Sequence, residues 1–294
     1  MTSGDEAAPY FAVHEGYALY RGPVSDSAAH RHAAFQIAIA VEGEVSMLDA
    51  ARTRHRAAAL VVPPMVGHRI LAVENLLTFF VEPHCAFADR LRARGGTGIT
   101  AAADLRGLRE QDVRGGGAHP SGKLDPRLVA AMRALSDHGM TPATAVIPAA
   151  AGRDERTRTP GARPVAAGWD GWPGAPGALP VAAGPEGGAC VPGSMPALAA
   201  EVGLSPQRLR ALARRELGMP LSRWRIWVRL RRAAEAMRAG QSPADAAITG
   251  GFADQAHFTR RLREMMGLTP AAVAPLLRRS AAAGDVHGDG ARDR

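Results

Sequence analysis

Cys85 and Cys190 are the only cysteines among 294 residues. That scarcity excludes a disulfide-stapled scaffold and a structural zinc cluster built from thiolates. Lysine is scarcer still, Lys123 standing alone beside 35 arginines. No apolar run approaches the roughly 18–20 residues of a membrane span. The acidic start MTSGDEAAPY lacks the apolar core of a secretory leader, so a cytoplasmic protein with no membrane partner is expected. Neither a Walker loop, a dinucleotide fingerprint nor a Ser/His/Asp arrangement is present, and no catalytic residue is expected.

What charge there is lies unevenly. The net is +8 overall, yet Ser194 to Arg279 alone holds 15 Arg against 6 acidic residues, leaving the remainder near neutrality. A basic segment beside a neutral one points to a polyanion partner for the first only. Between them, residues 139–193 hold 13 Ala, 11 Gly and 9 Pro, with Leu179, Ile147 and four Val as the main aliphatics. Such a stretch cannot bury enough apolar surface to offset its ordering entropy, so disorder is expected, with Trp169 and Trp172 as an isolated docking possibility.

The most informative stretch begins at Leu198-Ala199-Ala200-Glu201-Val202-Gly203-Leu204-Ser205-Pro206. An apolar helix face runs into Gly203, where the turn needs φ > 0; Leu204 plugs inward, and Ser205 caps a second helix with Pro206 at its first position. This is helix-turn-helix spacing. The plan recurs from Ala246 to Leu262, with Gly250-Gly251 in the turn and Asp254 as cap. Between the units, Leu221, Trp224, Trp227, Val228, Leu230, Ala234 and Met237 mark one long amphipathic helix. Two reading helices on one rod imply double-stranded DNA as partner.

With Arg229-Leu230, Ala233, Gly251-Phe252, Asp254, His257-Phe258, Arg260 and Gly267-Leu268-Thr269-Pro270, the segment resembles the DNA-binding domain of AraC/XylS-family transcription regulators. Ala213 and Val273 depart from the pattern, standing where that family usually has Phe and often Tyr. The first reading helix presents Gln207, Arg210 and Arg214, and the second Gln255, Thr259, Arg260 and Arg263. The resemblance gives these positions to bases or phosphates, and Arg and Gln suit guanine and adenine edges. Arg208 and Arg223, with Arg215 and Arg225, fit phosphate contacts; His257 is expected to pack beside Phe258. The family further implies contact to RNA polymerase, a homodimer and a small-molecule effector.

Upstream, Phe35–Val41, Val45–Leu48, Ala59–Val62 and Leu76–Val81 read as short strands of a small barrel. Within them His30-Arg31-His32, Gln36, Gly43 and Pro63-Pro64-Met65-Val66-Gly67-His68 resemble the two cupin motifs, with Gln36 in place of the usual Glu and Met65 in place of a Gly. Three imidazoles could converge on a divalent metal. The missing carboxylate favours instead a metal-free effector pocket of His30, His32, Gln36 and His68, with no cofactor. Between residues 84 and 122, a helix over Phe87–Arg94, the start of another at Leu105–Leu108 and a break at Gly115–Gly117 are expected; by the resemblance, this is where a dimer contact would lie.

The fold expected is α+β: an N-terminal cupin-like β-barrel for sensing and dimerisation (1–122), then an all-α DNA-binding domain with two helix-turn-helix units joined by a long helix (194–279). Asp125 and Pro126 open a helix over 124–138, with Leu128, Met132 and Leu135 on its apolar stripe. It is read as a part of the DNA-binding domain that 139–193 splits off, an interdomain linker being the alternative. A polar tail expected to be disordered follows (280–294). The function expected is a sequence-specific, effector-controlled transcription regulator. A metal-dependent cupin enzyme fused to a DNA-binding module is the alternative, and a DNA-alkyl repair regulator a poorer third with so few cysteines.

Overall fold

The computed structural model describes residues 9–117, 119–137 and 194–285. The stretch expected to be disordered, 139–193, with Cys190, Trp169 and Trp172, lies outside the described residues, as do residues 286–294 of the tail.

The N-terminal part is built on two antiparallel sheets. One has six strands in the order β1 (Tyr10–His14), β2 (Tyr17–Val24), β8 (Val73–Val81), β3 (Phe35–Ala40), β6 (Ala59–Val62) and β9 (Thr100–Ala101). The other runs β5 (Arg54–Ala57), β4 (Val45–Asp49) and β7 (His68–Ile70). The expected barrel therefore does not close into one sheet. Its edges are too short for continuous pairing: β9 has two residues and β7 three. An isolated bridge joins His30 to His68, each amide donating to the other's carbonyl at 2.9 and 3.0 Å.

Strand β3 is buried along its whole length, because both of its faces are covered. Phe35, Ile37 and Ile39 join Phe79, Val81, Phe87, Leu91 and Val113 in one apolar cluster. Ala38 and Ala40, one residue out of phase, join Met47, Leu60, Val62 and Ile70 of the space between the sheets. Helices α1 (Ala86–Ala93) and α2 (Glu110–Gly117) and a 3-10 turn (Ala103–Leu105) cover the first cluster. The break expected at Gly115–Gly117 is instead the last turn of α2.

Among the described residues seven further helices follow: α3 (Pro126–Asp137), α4 (Met195–Glu201), α5 (Pro206–Leu217), α6 (Leu221–Arg238), α7 (Pro243–Thr249), α8 (Gln255–Met266) and α9 (Pro270–Asp285). Their boundaries follow from local chemistry. Ser194, Ser205, Ser242 and Asp254 each accept a hydrogen bond from the backbone three residues on, and each such cap stabilises its helix by about 1 kcal/mol. Gly218 and Gly267 end α5 and α8 in the left-handed conformation, with φ of 70° and 68°. Helix α9 continues to Asp285, so residues 280–285, assigned by sequence to the tail, have helical backbone.

The rod α6 is buried on more than one side, which is why its apolar positions exceed a single stripe. Trp224 packs toward α3, its indole N–H donating to the Met132 carbonyl at 3.4 Å. Arg232 donates to the Ser136 carbonyl, and the Asp125 amide to Glu216 at 2.8 Å. Leu128 and Met132 of α3 share one core cluster with Leu198, Leu209 and Trp224. That cluster also takes in Phe11, Ala18 and Phe80 from the sheets, so sheet and helix parts meet through a continuous apolar seam.

Candidate nucleic-acid interface and the domain seam

On α5 the inward positions Leu209, Leu212, Ala213 and Leu217 are buried, and Gln207, Arg208, Arg210, Ala211 and Arg214 are exposed. On α8, Phe258, Leu262 and Met265 are buried. Gln255, Ala256, Arg260 and Arg263 are exposed, and Thr259 is half-buried. Among the described residues, Arg208, Arg210, Arg214, Arg260 and Arg263 form no ion pair with a carboxylate, whereas Arg215 is held by Glu216 at 2.7 Å. Guanidiniums left free on the outward face of a capped helix are the donors that base edges and phosphates accept from. His257 sits edge-on to Phe252, ring centroids 5.4 Å apart, and is half-buried.

Arg223, expected to contact phosphate, lies where α6 meets α8. It is partly buried and ion-paired to Glu264 of α8, which also accepts from Arg261 at 2.7 Å. Burial raises the Glu264 pKa, but the hydrogen bonds from Arg223 and Arg261 outweigh that and hold it below the ordinary glutamate value. The group therefore stays charged and ties the start of α6 to the end of α8. The Arg31 amide reaches the Glu264 carbonyl at 3.3 Å, placing this tie at the domain seam.

His30, His32, Gln36 and His68 come together, and all four are buried. Ring centroids lie 4.4 Å apart for His30 and His68, 4.7 Å for His30 and His32, and 5.1 Å for His32 and His68. His30 Nδ1 lies 2.7 Å from the Ala28 carbonyl and His68 Nδ1 3.0 Å from that of Val66. A carbonyl only accepts, so both Nδ1 atoms carry protons. His32 Nε2 lies 3.1 Å from Gln36 Oε1. Gln36 thus holds His32 by hydrogen bond, a task the carboxylate of the usual motif would not perform as a metal ligand. Burial lowers the pKa of His30 to about 4 and of His68 to about 3, and that of His32 well below the ordinary value; the rings are neutral at pH 7. Met65, standing where the motif has Gly, adopts the left-handed φ of 66° that glycine takes without cost.

This cluster abuts the end of the second reading helix, a contact that no residue spacing signals. A Cβ added at Gly267 would lie 2.9 Å from His30 Nδ1, and the Met265 backbone acts on His32. Beside the cluster is a cavity of about 370 Å³ lined from one side by residues such as Gln36, Thr78 and Phe80 and from the other by Leu268, Ala272 and Leu276. A second seam contact was also missed: buried Glu82, just past β8, accepts from Trp227 Nε1 and Arg231 Nη1, each at 2.9 Å. A lone acid closing the apolar run Leu76–Val81 was the available signal. Cys85 nearby is buried, and burial pushes its thiol pKa far up, leaving no reactive thiolate.

Two capped helix-turn-helix units on one rod define a DNA-binding domain, and residues 198–274 match the family described as a helix-turn-helix domain. The C-terminal segment is a double helix-turn-helix domain of the AraC type. Among solved structures, the chain is similar to ToxT from Vibrio cholerae O395, at 10% identity and a TM-score of 0.45, over 90% of this chain and 99% of that one. It is also similar to wild-type ToxT from strain SCE256 bound to an unsaturated fatty acid, at 10% identity and a TM-score of 0.49, over 91% and 98%. An AraC-type DNA-binding domain-containing regulator from Chromobacterium violaceum is 25% identical, with a TM-score of 0.28, over 29% of this chain and 78% of that one. No curated protein sequence matches the chain.

Proposed function

We propose that this chain is a sequence-specific transcription regulator that binds double-stranded DNA through α5 and α8 and is controlled by a small molecule in the cavity between its two parts. The observation that carries the reading is the pair of capped helices on one rod, each with free guanidiniums on its outward face. The cavity supports the second half, because a ligand there touches the sheet part and the start of α9 together. Helix α3 belongs, on this reading, to the DNA-binding domain: its core positions share a cluster with α4, α5 and α6. Homodimerisation through the region of α1 and α2, contact to RNA polymerase and a cytoplasmic location complete the proposal.

The test is a comparison of specific with random DNA at stated salt. Replacing Arg210 or Arg260 by Ala should cost about 1–3 kcal/mol on the specific site and relax preference in one half of it. Equal losses on both DNAs would contradict a base-reading role. For the effector, compounds that raise the melting temperature of the wild type should lose their effect in Ala272→Trp, which fills the cavity from α9.

A further inference from the structure

We infer that the cavity between the sheets and α9 takes an uncharged, largely apolar small molecule with one hydroxyl or carbonyl oxygen, which Thr78 and Gln36 hold from the sheet side. The inference deepens the effector reading of this cavity and rests on it. At about 370 Å³ the space is in the range of small-molecule sites.

The polar groups of the walls decide the chemistry. The two-residue period of β8 turns Leu76, Thr78 and Phe80 toward the cavity, while Leu77, Phe79 and Val81 pack into the opposite cluster. The Thr78 hydroxyl is buried without a hydrogen-bond partner, a state that is costly and rare in folded proteins. Gln36 of β3 stands diagonal to it, since Gln36 pairs with Phe80 and Ala38 with Thr78. Diagonal neighbours on one face of a sheet are about 7–8 Å apart, so a single ligand oxygen between them is within reach of both. The Gln36 amide is engaged by His32 through one atom, which leaves the other for a ligand. A hydroxyl both donates and accepts, so Thr78 suits either an alcohol or a carbonyl. The facing wall offers only the apolar side chains of Met266, Leu268, Ala272 and Leu276. The ligand's oxygen therefore points to the sheet and its apolar body to α9.

The same walls exclude charge. Among the described residues no Lys or Arg lines the cavity, and the titratable groups that do are Asp26 and His30. Asp26, at the mouth, is ion-paired to Arg69 and accepts from the Ala72 amide at 2.8 Å. His30 is buried and neutral at pH 7. Tyr20 donates to the Pro23 carbonyl at 2.6 Å, and Ser27 accepts from the Ile70 amide at 2.9 Å. A carboxylate or phosphate would be buried here with no counter-charge, and an ammonium would have to displace Arg69 from Asp26. Burying an uncompensated charge costs far more than burying a neutral oxygen that finds a hydrogen bond.

Full-length protein at pH 7.5 is titrated calorimetrically with decanol, decanoate and decylammonium, which share a chain length and differ in charge, each kept below its solubility or micelle limit. Decanol is expected to bind at one site per chain, and the charged probes at least about 10-fold more weakly. Thr78→Val keeps the shape of the side chain and should weaken decanol about 3- to 10-fold, while the ligand-free variant melts no lower than the wild type. Ala272→Trp should abolish binding, and circular dichroism checks that both variants fold. No binding of decanol, or binding of either charged probe as tight as that of decanol, overturns the ligand class. Unchanged decanol affinity in Thr78→Val overturns the anchoring role. Affinity for specific DNA is measured in parallel. A several-fold change on saturation with decanol supports effector control, whereas unchanged DNA affinity with decanol bound as described counts against that control alone and leaves the ligand chemistry standing.

Discussion

Replacing Glu82 by Ala should loosen the seam more than any other single seam substitution to Ala. The carboxylate is 1% exposed and takes two donors, Trp227 Nε1 and Arg231 Nη1, both from α6. Removing one partner of a buried pair costs roughly 3–5 kcal/mol, because the other charge is left uncompensated. Two features of the site lower that figure here. Arg231 Nε lies 3.8 Å from Glu235, which offers partial compensation, and Glu82 Oε2 has no hydrogen-bond partner of its own. About 2–4 kcal/mol is therefore expected for Glu82→Ala in urea unfolding. Glu82→Gln keeps an acceptor for Trp227 and should cost about 1–2 kcal/mol. A double-mutant cycle with Arg231→Ala should return a coupling of about 1–3 kcal/mol. Coupling below about 0.5 kcal/mol would refute the claim that this contact fastens the sheets to the rod.

Gly267→Ala and Gly218→Ala test the seam differently. Both glycines end reading helices with φ near 70°, but a Cβ at 218 meets nothing within 4 Å, while one at 267 meets His30 at 2.9 Å. Each should lose about 1 kcal/mol for backbone strain, and the 267 variant should lose more; equal melting temperatures would contradict the contact. Ser205→Ala should cost about 1 kcal/mol through loss of the cap on the Arg208 amide, and unchanged urea midpoints would contradict it. Burial lowers the His84 pKa despite the opposing pull of Glu82. The unfolded chain therefore takes up a proton near pH 6.5 that the folded chain refuses, and stability falls as pH drops below that value. His84→Gln should flatten this slope between pH 7.5 and 5.5 in urea titrations; a steeper slope would contradict it.

What could be read from sequence was what is local. Gly203, Ser205-Pro206 and Asp254 sit within a few residues of the turns they make, and their roles follow from backbone geometry alone. The histidines were visible as a motif, and Met65 as the residue occupying a glycine's place. Strands β1 and β2 escaped because Tyr10–Val24 is broken by the polar His14 that ends β1 and by Glu15 and Gly16 of the hairpin turn. Strand β5, Arg-His-Arg-Ala, is an edge whose Arg54 and Arg56 are exposed, so it carries no apolar signal. The pairing of Arg223 with Glu264 could not be read from sequence, because the two are 41 residues apart. The seam itself could not be seen: nothing in the spacing of Glu82, His30 or Gly267 says that they meet the other half of the chain.

The central claim is tested most directly by selecting binding sites for the full-length protein from a randomised double-stranded DNA library at stated salt. Two reading helices fixed on one rod predict a contiguous, asymmetric site per protomer, its two conserved blocks about one helical turn, roughly 34 Å, apart. Arg260→Ala should erase only one block. Enrichment of no sequence over random DNA, or of a single block unaffected by substitutions on either helix, would contradict the account.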